Sequence, residues 1–231
     1  RSSDLGTLAA IEHERATAKA YGDLLAEVQA SVDASSMDGL IVRALKRRYD
    51  QETKIPTELV VRRSELASRA VEAWKKARKA DDFPAFAPFL KEQFEVAREY
   101  ADHLGYEKNP YDALLDIFEP ELTFDWIDQR FQALKPDLQG LIEAIAGARE
   151  SDPSHDRAAA AIYRAVAEDK QMAFGRRMAR AVGYDFEHGR LDLSAHPFTS
   201  GSSYLDVRLT TRVEEEYFPS CLFASIHEAG H

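Results

Sequence analysis

The 231-residue sequence has a single cysteine, no long apolar run and fewer basic than acidic side chains. The one cysteine, Cys221, cannot form a disulfide within the chain, which fits a reducing compartment and leads us to expect a cytoplasmic location. No apolar run approaches the roughly 20 residues that a membrane helix needs, so we expect no membrane segment. The formal net charge of -10 excludes a nucleic-acid partner that is bound by bulk electrostatics.

A starting methionine is also lacking, because the chain begins at Arg1 and its three methionines are internal. The last residue, His231, falls inside a segment whose pattern predicts a helix. We therefore expect the chain to be a fragment of a longer protein. Its 45% hydrophobic residues are nevertheless enough for a packed core.

In most of the chain, the spacing of apolar residues is that of α-helices. Apolar residues recur at three- and four-residue steps, which is the spacing of one helix face. The predicted helices cover residues 5–32, 39–49, 57–80, 83–104, 124–145 and 158–182, with at most one brief helix between residues 109 and 120. Pro136 is expected to kink or divide the fifth of them. The polar residues 147–156 are expected to form a surface loop.

The period changes after Gly183. Residues 184–193 alternate in short stretches and residues 206–212 alternate strictly with β-branched side chains, so both are predicted to be strands. Pro, Gly and Ser in residues 197–203 predict a loop between them, and a final helix begins near Pro219. We expect a mainly α fold within one domain. A long-helix bundle, residues 1–183, precedes a small antiparallel β-sheet and the start of a helix, residues 184–231.

The last five residues, 227–231, read H-E-x-x-H. On a helix each residue advances about 100°, so His227 and His231 lie one turn apart and about 40° from each other, and can bind one zinc ion. Glu228 then lies beside the metal, where a general base can take a proton from the bound water. Zinc lowers the pKa of that water toward about 7 and polarises a scissile carbonyl. The motif therefore predicts a zinc peptidase.

The H-E-x-x-H motif and the candidate ligands near it also have interpretations without a metal. H-E-x-x-H also occurs by chance on surface helices, although the apolar residues 222–226 before it indicate a partly buried helix. Cys221 could be a thiolate ligand, but six helical residues turn it about 240° from His227, so we expect a small buried side chain. The acidic residues 214–216 precede Pro219 and are not expected to supply a third carboxylate. Four further histidines are predicted to be surface residues: His13, His103, His155 and His188.

Three motifs follow one another near the C-terminal end. They are H-P-F at residues 196–198, D-x-R-x-T at residues 206–210 and H-E-x-x-H at residues 227–231. In this order and spacing they resemble the signature of the carboxypeptidase Taq family of metallocarboxypeptidases, also called thermostable carboxypeptidase 1. Weaker similarity covers nearly the whole chain, through residues 53–56, 110–115, 174–177 and 183–186.

The resemblance implies an almost all-helical fold with a small sheet beside a deep, zincin-like active-site groove. It also implies a zinc- or cobalt-dependent homodimeric enzyme that removes C-terminal residues from peptides with broad specificity. By position, His227 and His231 would be metal ligands and Glu228 the general base. The other two motifs would edge the groove, where Arg208 would hold a substrate carboxylate or backbone. His196 would contact substrate or metal, or else have a hydrogen-bonded structural role.

The chain departs from the family in what it lacks. The family's third metal ligand is a glutamate on a helix downstream of H-E-x-x-H, and the residues that bind the substrate carboxylate and stabilise the oxyanion are downstream as well. We therefore expect this chain to bind zinc poorly and to be inactive by itself. The alternative hypothesis is a non-catalytic helical module whose exposed apolar surface serves association, with its own copy or with the missing half.

Overall fold

The computed structural model describes residues 2–151, 160, 162–203 and 205–231. Two compact units make up the chain, Arg1–Lys135 and Pro136–His231. The sequence-based boundary between residues 183 and 184 marks a change of secondary structure and falls inside the second unit. Among the described residues, no helix is long and apolar enough to cross a membrane.

All regular structure in the described part of the first unit is helical. The helices are α1 (Ser2–Ala16), α2 (Lys19–Ser31), α3 (Met37–Glu52), α4 (Thr57–Ala80), α5 (Phe83–Leu104) and α6 (Pro110–Leu115), and α7 (Phe124–Ser151) begins in this unit. Ser36, Asp82 and Asn109 cap α3, α5 and α6, because each side chain accepts a hydrogen bond from a main-chain N–H of the first turn. Gly105, with a φ of 86°, ends α5.

The core of the first unit lies between α4 and α5. α1 and α5 both pack on α4, and α6 packs on α5. The largest group of buried apolar side chains consists of Ile55, Leu59, Leu66, Val96, Ala101, Leu104 and Ala113. The helix predicted over residues 57–80 therefore buries the face that its apolar spacing indicated. In the helix predicted over residues 83–104, Leu104 is buried as expected, but Phe94, also expected inside, is 57% exposed.

The prediction of one helix over residues 5–32 is wrong. The chain leaves the helical conformation after Ala16, and Ala18 has an extended backbone with φ -57° and ψ 134°. The hydroxyl of Thr17 donates to the carbonyl of His13 at 2.8 Å, in the last turn of α1. A threonine that binds its own helix in this way competes with helix continuation.

The environment of His13 also differs from the prediction. Its side chain is buried, with Nδ1 at 3.0 Å from Oγ1 of Thr57 and Nε2 at 3.1 Å from the carbonyl oxygen of Glu52. His13 is thus a hydrogen-bonded link from α1 to the segment between α3 and α4. His103 and His188 are exposed as expected, and His155 lies outside the described residues.

Pro136 does not divide α7, which is a single helix of 28 residues. A proline inside a helix removes one main-chain hydrogen bond and crowds the carbonyl four residues before it, but the helix continues on both sides. Residues 147–151, expected in a loop, are the last turn of α7, and residues 152–156 lie outside the described part. No residue of α7 is buried.

The second unit places a three-stranded sheet beside two helices. Its further elements are α8 (Glu168–Ala181), β1 (Gly189–Leu193), β2 (Thr199–Ser203), β3 (Asp206–Thr211) and α9 (Pro219–Gly230). The strand order is β1-β3-β2, with β1 parallel and β2 antiparallel to β3. A mainly α fold with a small sheet near the C-terminal end is therefore confirmed, but the sheet is mixed rather than antiparallel.

Two segments of this unit differ from the prediction. β2 lies in residues 197–203, which we expected to form a loop because Pro, Gly and Ser cluster there. It forms because its main chain pairs along the edge of β3. The helix predicted over residues 158–182 is observed as α8 only from Glu168, because residues 163–167 are not helical; residues 158, 159 and 161 lie outside the described part.

Side-chain alternation gives the sheet two faces. Leu191, Leu209 and Thr211 lie on the face that we call inner, and they are almost completely buried. The helices cover this face, since Met172 of α8 and Cys221 of α9 belong to the same apolar cluster. The register places three polar residues side by side on the opposite, outer face: Arg190, Ser200 and Arg208.

The two helices approach each other closely at Gly175 of α8. A Cβ atom at this position would lie 2.7 Å from Oγ of Ser225 and 3.7 Å from Sγ of Cys221 on α9. Ser225 cannot turn away without loss, because its hydroxyl donates to the carbonyl of Cys221 at 2.8 Å. Glycine therefore sets the distance between α8 and the helix that carries H-E-x-x-H.

Candidate metal centre and general base

The two histidines of H-E-x-x-H lie at the end of α9. Both side chains are exposed, and their ring centroids are 4.9 Å apart with the ring planes at 89°. Imidazole nitrogens suit zinc, so this pair fits two positions of a metal site. Among the described residues no group of three or more His, Cys, Asp or Glu side chains could hold a metal ion. The described chain therefore offers two ligands, where a catalytic zinc generally takes three.

Glu228 lies on a different side of α9 and is buried against β2, with 7% of its surface exposed. The hydroxyl oxygen of Thr199 lies 2.7 Å from Oε2 of Glu228 and 2.8 Å from its main-chain carbonyl oxygen. Two side-chain atoms are fully buried without a partner in the described part of the chain, Gln171 Oε1 and Arg212 Nε. Oε1 of Glu228 is not one of them, and it makes no hydrogen bond with the described residues.

The buried side of α9 explains how Glu228 comes to point inward. Cys221 and Ser225 are fully buried and lie four residues apart, and Glu228, the next buried position, follows Ser225 by three residues. Thr211 of β3 donates to the carbonyl of Cys221 at 3.2 Å and ties this side of the helix to the inner face. The expectation that Cys221 is a small buried residue is confirmed.

The H-P-F and D-x-R-x-T motifs are bound to each other through Thr210. Its hydroxyl accepts a hydrogen bond from the N–H of Phe198 at 2.9 Å and lies 2.7 Å from Oγ of Ser194. The N–H of Thr210 donates to the carbonyl of Phe198, also at 2.9 Å. Thr210 thus fixes the segment that leads directly into Thr199.

Arg208 does not lie with the residues of α9. It is in register with Ser200 on the outer face, whereas Thr199, which contacts Glu228, is in register with the inner-face Leu209. The exposed guanidinium of Arg208 donates to the carboxylate of Asp206 through Nε and Nη2, each at 2.9 Å. These hydrogen bonds lower the pKa of Asp206 and raise the pKa of Arg208.

His196 is exposed in the segment between β1 and β2. Its main-chain carbonyl accepts a hydrogen bond from the hydroxyl of Ser194 at 2.5 Å. The structure therefore brings the imidazoles of His227 and His231 together and places Glu228 on another side of the same helix. It holds the other two predicted site residues, His196 and Arg208, in exposed positions on neighbouring elements. Thr199 and Thr210 were missed, although Thr210 is the last residue of D-x-R-x-T and Thr199 directly follows H-P-F.

Comparison with known proteins gives the family. A model of the family described as carboxypeptidase Taq (M32) metallopeptidase matches residues 1–231. The chain belongs to this family.

Curated relatives and solved structures agree with the M32 assignment. The chain is 36% identical to carboxypeptidase 1 of Bacillus subtilis (strain 168) over 82% of its own length and 37% of the relative. It is 33% identical to thermostable carboxypeptidase 1 of Thermus thermophilus over all of its length and 47% of the relative. The crystal structure of BsuCP matches with a TM-score of 0.87 and 32% identity, over 100% of this chain and 46% of that one. The chain thus spans less than half the length of these M32 relatives.

Proposed function

We propose that the whole protein is a metal-dependent carboxypeptidase that removes C-terminal amino acids from peptides. The observation that carries this proposal is the end of α9, where two exposed imidazoles lie one turn apart with a carboxylate between them in sequence. Membership of the M32 metallopeptidase family supports the same chemistry. A cytoplasmic location is part of the proposal, because Cys221 is a free and buried thiol.

In this proposal His227 and His231 hold a zinc ion, for which cobalt can substitute, at the edge of a zincin-like groove. When bound, zinc supplies Lewis acidity, which polarises a carbonyl and makes water more acidic. Glu228 takes the proton of the attacking water at Oε1 and returns it to the leaving amine. A third protein ligand comes from residues that this chain does not contain.

Arg208 and His196 are the proposed substrate contacts. A guanidinium presents two parallel N–H donors, which suit the terminal carboxylate of a peptide. To bind this carboxylate, the guanidinium of Arg208 would have to give up its ion pair with Asp206 on the outer face of the sheet. His196 lies in the segment that precedes β2 and is exposed for such a contact.

The experiment removes and restores the metal in the whole protein. Chelation should abolish release of C-terminal amino acids from a peptide with a free carboxylate, and zinc or cobalt should restore it. The matched control is the same peptide with an amidated C-terminus, which a carboxypeptidase cleaves poorly because its terminal charge is missing. Equal cleavage of both peptides, or turnover that survives chelation with no metal left, would contradict the proposal.

For the 231-residue chain alone we propose weak zinc binding and no turnover. Two imidazoles lack both the affinity and the charge of a third ligand. Isothermal titration of the chain with zinc, beside its Glu228→Gln variant, measures the affinity, and peptide hydrolysis measures the turnover. Tight one-to-one binding, with turnover that the variant loses, would show that the chain completes the site by itself.

A second candidate function is association between two copies, and an observation on α7 favours it. Apolar side chains recur along α7 at alternating steps of four and three residues, the spacing of a coiled-coil seam. We call these residues the α7 stripe: Phe131, Leu134, Leu138, Leu141 and Ile145. Each of them is between 45% and 64% exposed. Contiguous apolar surface of this kind drives association, so we propose a homodimer in which the α7 stripe is buried.

A charge placed in the stripe tests this second function. Leu138→Glu should shift the chain from dimer to monomer in light scattering at high protein concentration. Gln129→Glu is the matched control, because nine helical residues place it about 180° from Leu138 on the same helix. A monomeric parent chain, or two variants with the same mass, would exclude the α7 stripe as the interface.

A further inference from the structure

The contact between Thr199 and Glu228 joins the edge strand β2 to the end of α9. The two residues are 29 positions apart in sequence, and one hydroxyl lies within 2.8 Å of two oxygens of the same glutamate. A threonine hydroxyl carries one proton to donate. The two oxygens that the hydroxyl meets, the carboxylate Oε2 and the main-chain carbonyl oxygen of Glu228, are both acceptors when the side chain is ionised. They therefore share the single proton of the Thr199 hydroxyl.

This contact makes the two carboxylate oxygens different. Oε2 is held at 2.7 Å by the hydroxyl, whereas Oε1 makes no hydrogen bond with the described residues. A general base acts through an oxygen that can reach the proton it abstracts. The hydrogen bond to Oε2 fixes the rotation of the carboxylate and leaves Oε1 as the oxygen that meets the attacking water. After Oε1 has taken a proton from this water, Oε2 can still accept the hydrogen bond from Thr199.

The second half of the contact acts on the backbone. The carbonyl of Glu228 belongs to the last turn of α9, whose carbonyls have no N–H partner within the helix. The hydroxyl of Thr199 supplies a partner at 2.8 Å. Thr199 therefore holds in place the turn that carries His227 and His231, as well as the side chain of Glu228.

Thr199 is itself held firmly. Its main chain is in register with Leu209, which is fully buried in the sheet. The main chain of the preceding residue, Phe198, makes two hydrogen bonds with Thr210: its carbonyl accepts from the N–H of Thr210, and its N–H donates to the Thr210 hydroxyl. A side chain that is fixed in this way can position the carboxylate of Glu228 and stay in place when that carboxylate takes up a proton.

We propose that Thr199 is a positioning residue for the reaction, which orients the carboxylate of Glu228 and anchors the turn that carries the two histidines. This inference rests on the function proposed above. Thr199 does not touch substrate or metal, and it acts through Glu228.

The first test uses the metal-loaded whole protein. Thr199→Val keeps the shape of the side chain and removes the hydroxyl, whereas Thr199→Ser keeps the hydroxyl. We expect Thr199→Val to lower kcat by about 10- to 100-fold, because a general base contributes about 100-fold or more and a misplaced group loses much of that. KM should stay within about twofold, since peptide binding does not use this contact. Thr199→Ser should restore most of kcat.

Three results would overturn the inference. One is a kcat of Thr199→Val close to the parent value. Another is a Thr199→Ser variant as impaired as Thr199→Val, because the hydroxyl would then be irrelevant. The third is a parallel change of kcat and KM with loss of bound metal, which indicates general disruption. Should Thr199→Val not fold, Thr199→Cys replaces it, because a thiol is similar in size and only a weak donor.

A second test needs no activity and uses the 231-residue chain. Urea unfolding is compared for the parent, Thr199→Val, Glu228→Ala and the double variant. Thr199→Val should lower the folding equilibrium constant by about 2- to 12-fold in the parent and by less in the Glu228→Ala background. In the Glu228→Ala background the hydroxyl still donates to the main-chain carbonyl, so the loss there reports that bond alone, and the difference between the two losses reports the bond to the Glu228 side chain. Equal losses would show that the hydroxyl does not hold the Glu228 side chain.

Failure of the inference and failure of the proposed function give different results. If Glu228→Gln retains turnover, the proposed function is wrong. If Glu228→Gln is inactive and Thr199→Val has the parent kcat, only the role of Thr199 is wrong.

Discussion

Gly175→Ala should destabilise the chain, and the sign of its effect should depend on the residue at position 225. At an exposed helical position this substitution stabilises, since Ala exceeds Gly in helix propensity by about 1 kcal/mol. At position 175 the new Cβ would lie 2.7 Å from Oγ of Ser225. Non-bonded heavy atoms prefer separations of about 3.5 Å or more, so α8 and α9 must part by several tenths of an ångström or Ser225 must rotate.

The magnitude follows from two opposing terms. An extra methyl group in a well-packed core costs about 1–3 kcal/mol, which offsets the gain in propensity of about 1 kcal/mol. We expect a net loss of about 1 kcal/mol in the free energy of unfolding. In the Ser225→Ala background the Oγ atom is gone, and the nearest remaining atom of residue 225 is its Cβ at 3.4 Å. There Gly175→Ala should stabilise the chain by about 0.5–1 kcal/mol.

Urea unfolding followed by circular dichroism measures this cycle. Gly140→Ala is the matched control, because Gly140 lies within α7 with nothing within 4 Å of its added Cβ, and it should stabilise in either background. Gly175→Ala that stabilises the parent as much as Gly140→Ala does would refute the close approach of α8 and α9.

Two further predictions concern the sheet. Tyr184→Phe should lower the free energy of unfolding by about 1 kcal/mol in a urea titration, because the Tyr184 hydroxyl donates to the main-chain carbonyl of Val207 at 2.5 Å. An unchanged midpoint would contradict this prediction. Hydrogen bonds from Arg190 and Arg208 lower the pKa values of Asp192 and Asp206. Their stabilising contribution is present above the ordinary aspartate pKa of about 3.9 and is lost as the pH falls through the lowered values. The melting temperature should therefore fall below about pH 4, less steeply in an Asp192→Asn/Asp206→Asn variant, and identical slopes would contradict the assignment.

The candidate site was predictable where it depends on one helix. His227 and His231 are four residues apart, so helix geometry alone places them on one turn, and Cys221 falls on the buried side for the same reason. Thr199 was missed because its contact with Glu228 crosses 29 residues. That contact also depends on β2, whose Ser- and Gly-rich composition gives no strand signal.

The fold was predictable to a similar extent. Apolar period and capping residues predicted α4 and α5 closely, because Asp82 and Gly105 act locally. The break after Ala16 was not predicted, since apolar residues continue with the same period on both sides of it. The parallel pairing of β1 with β3 was missed for another reason. β1 and β3 are neighbours because β2, which lies between them in sequence, is placed at the edge of the sheet. The local sequence does not determine this strand order.

The central claim is that Glu228 is the general base of a metal site formed at His227 and His231. The most direct measurement is the turnover of the Glu228→Gln variant of the whole protein, with its metal content measured on the same sample. Glu216→Gln is the control, because Glu216 is exposed and lies outside the motif. We expect Glu228→Gln to keep the metal and to lose about 100-fold or more of kcat, whereas Glu216→Gln should have the parent kcat. A Glu228→Gln variant with its metal and near-parent kcat would contradict the account.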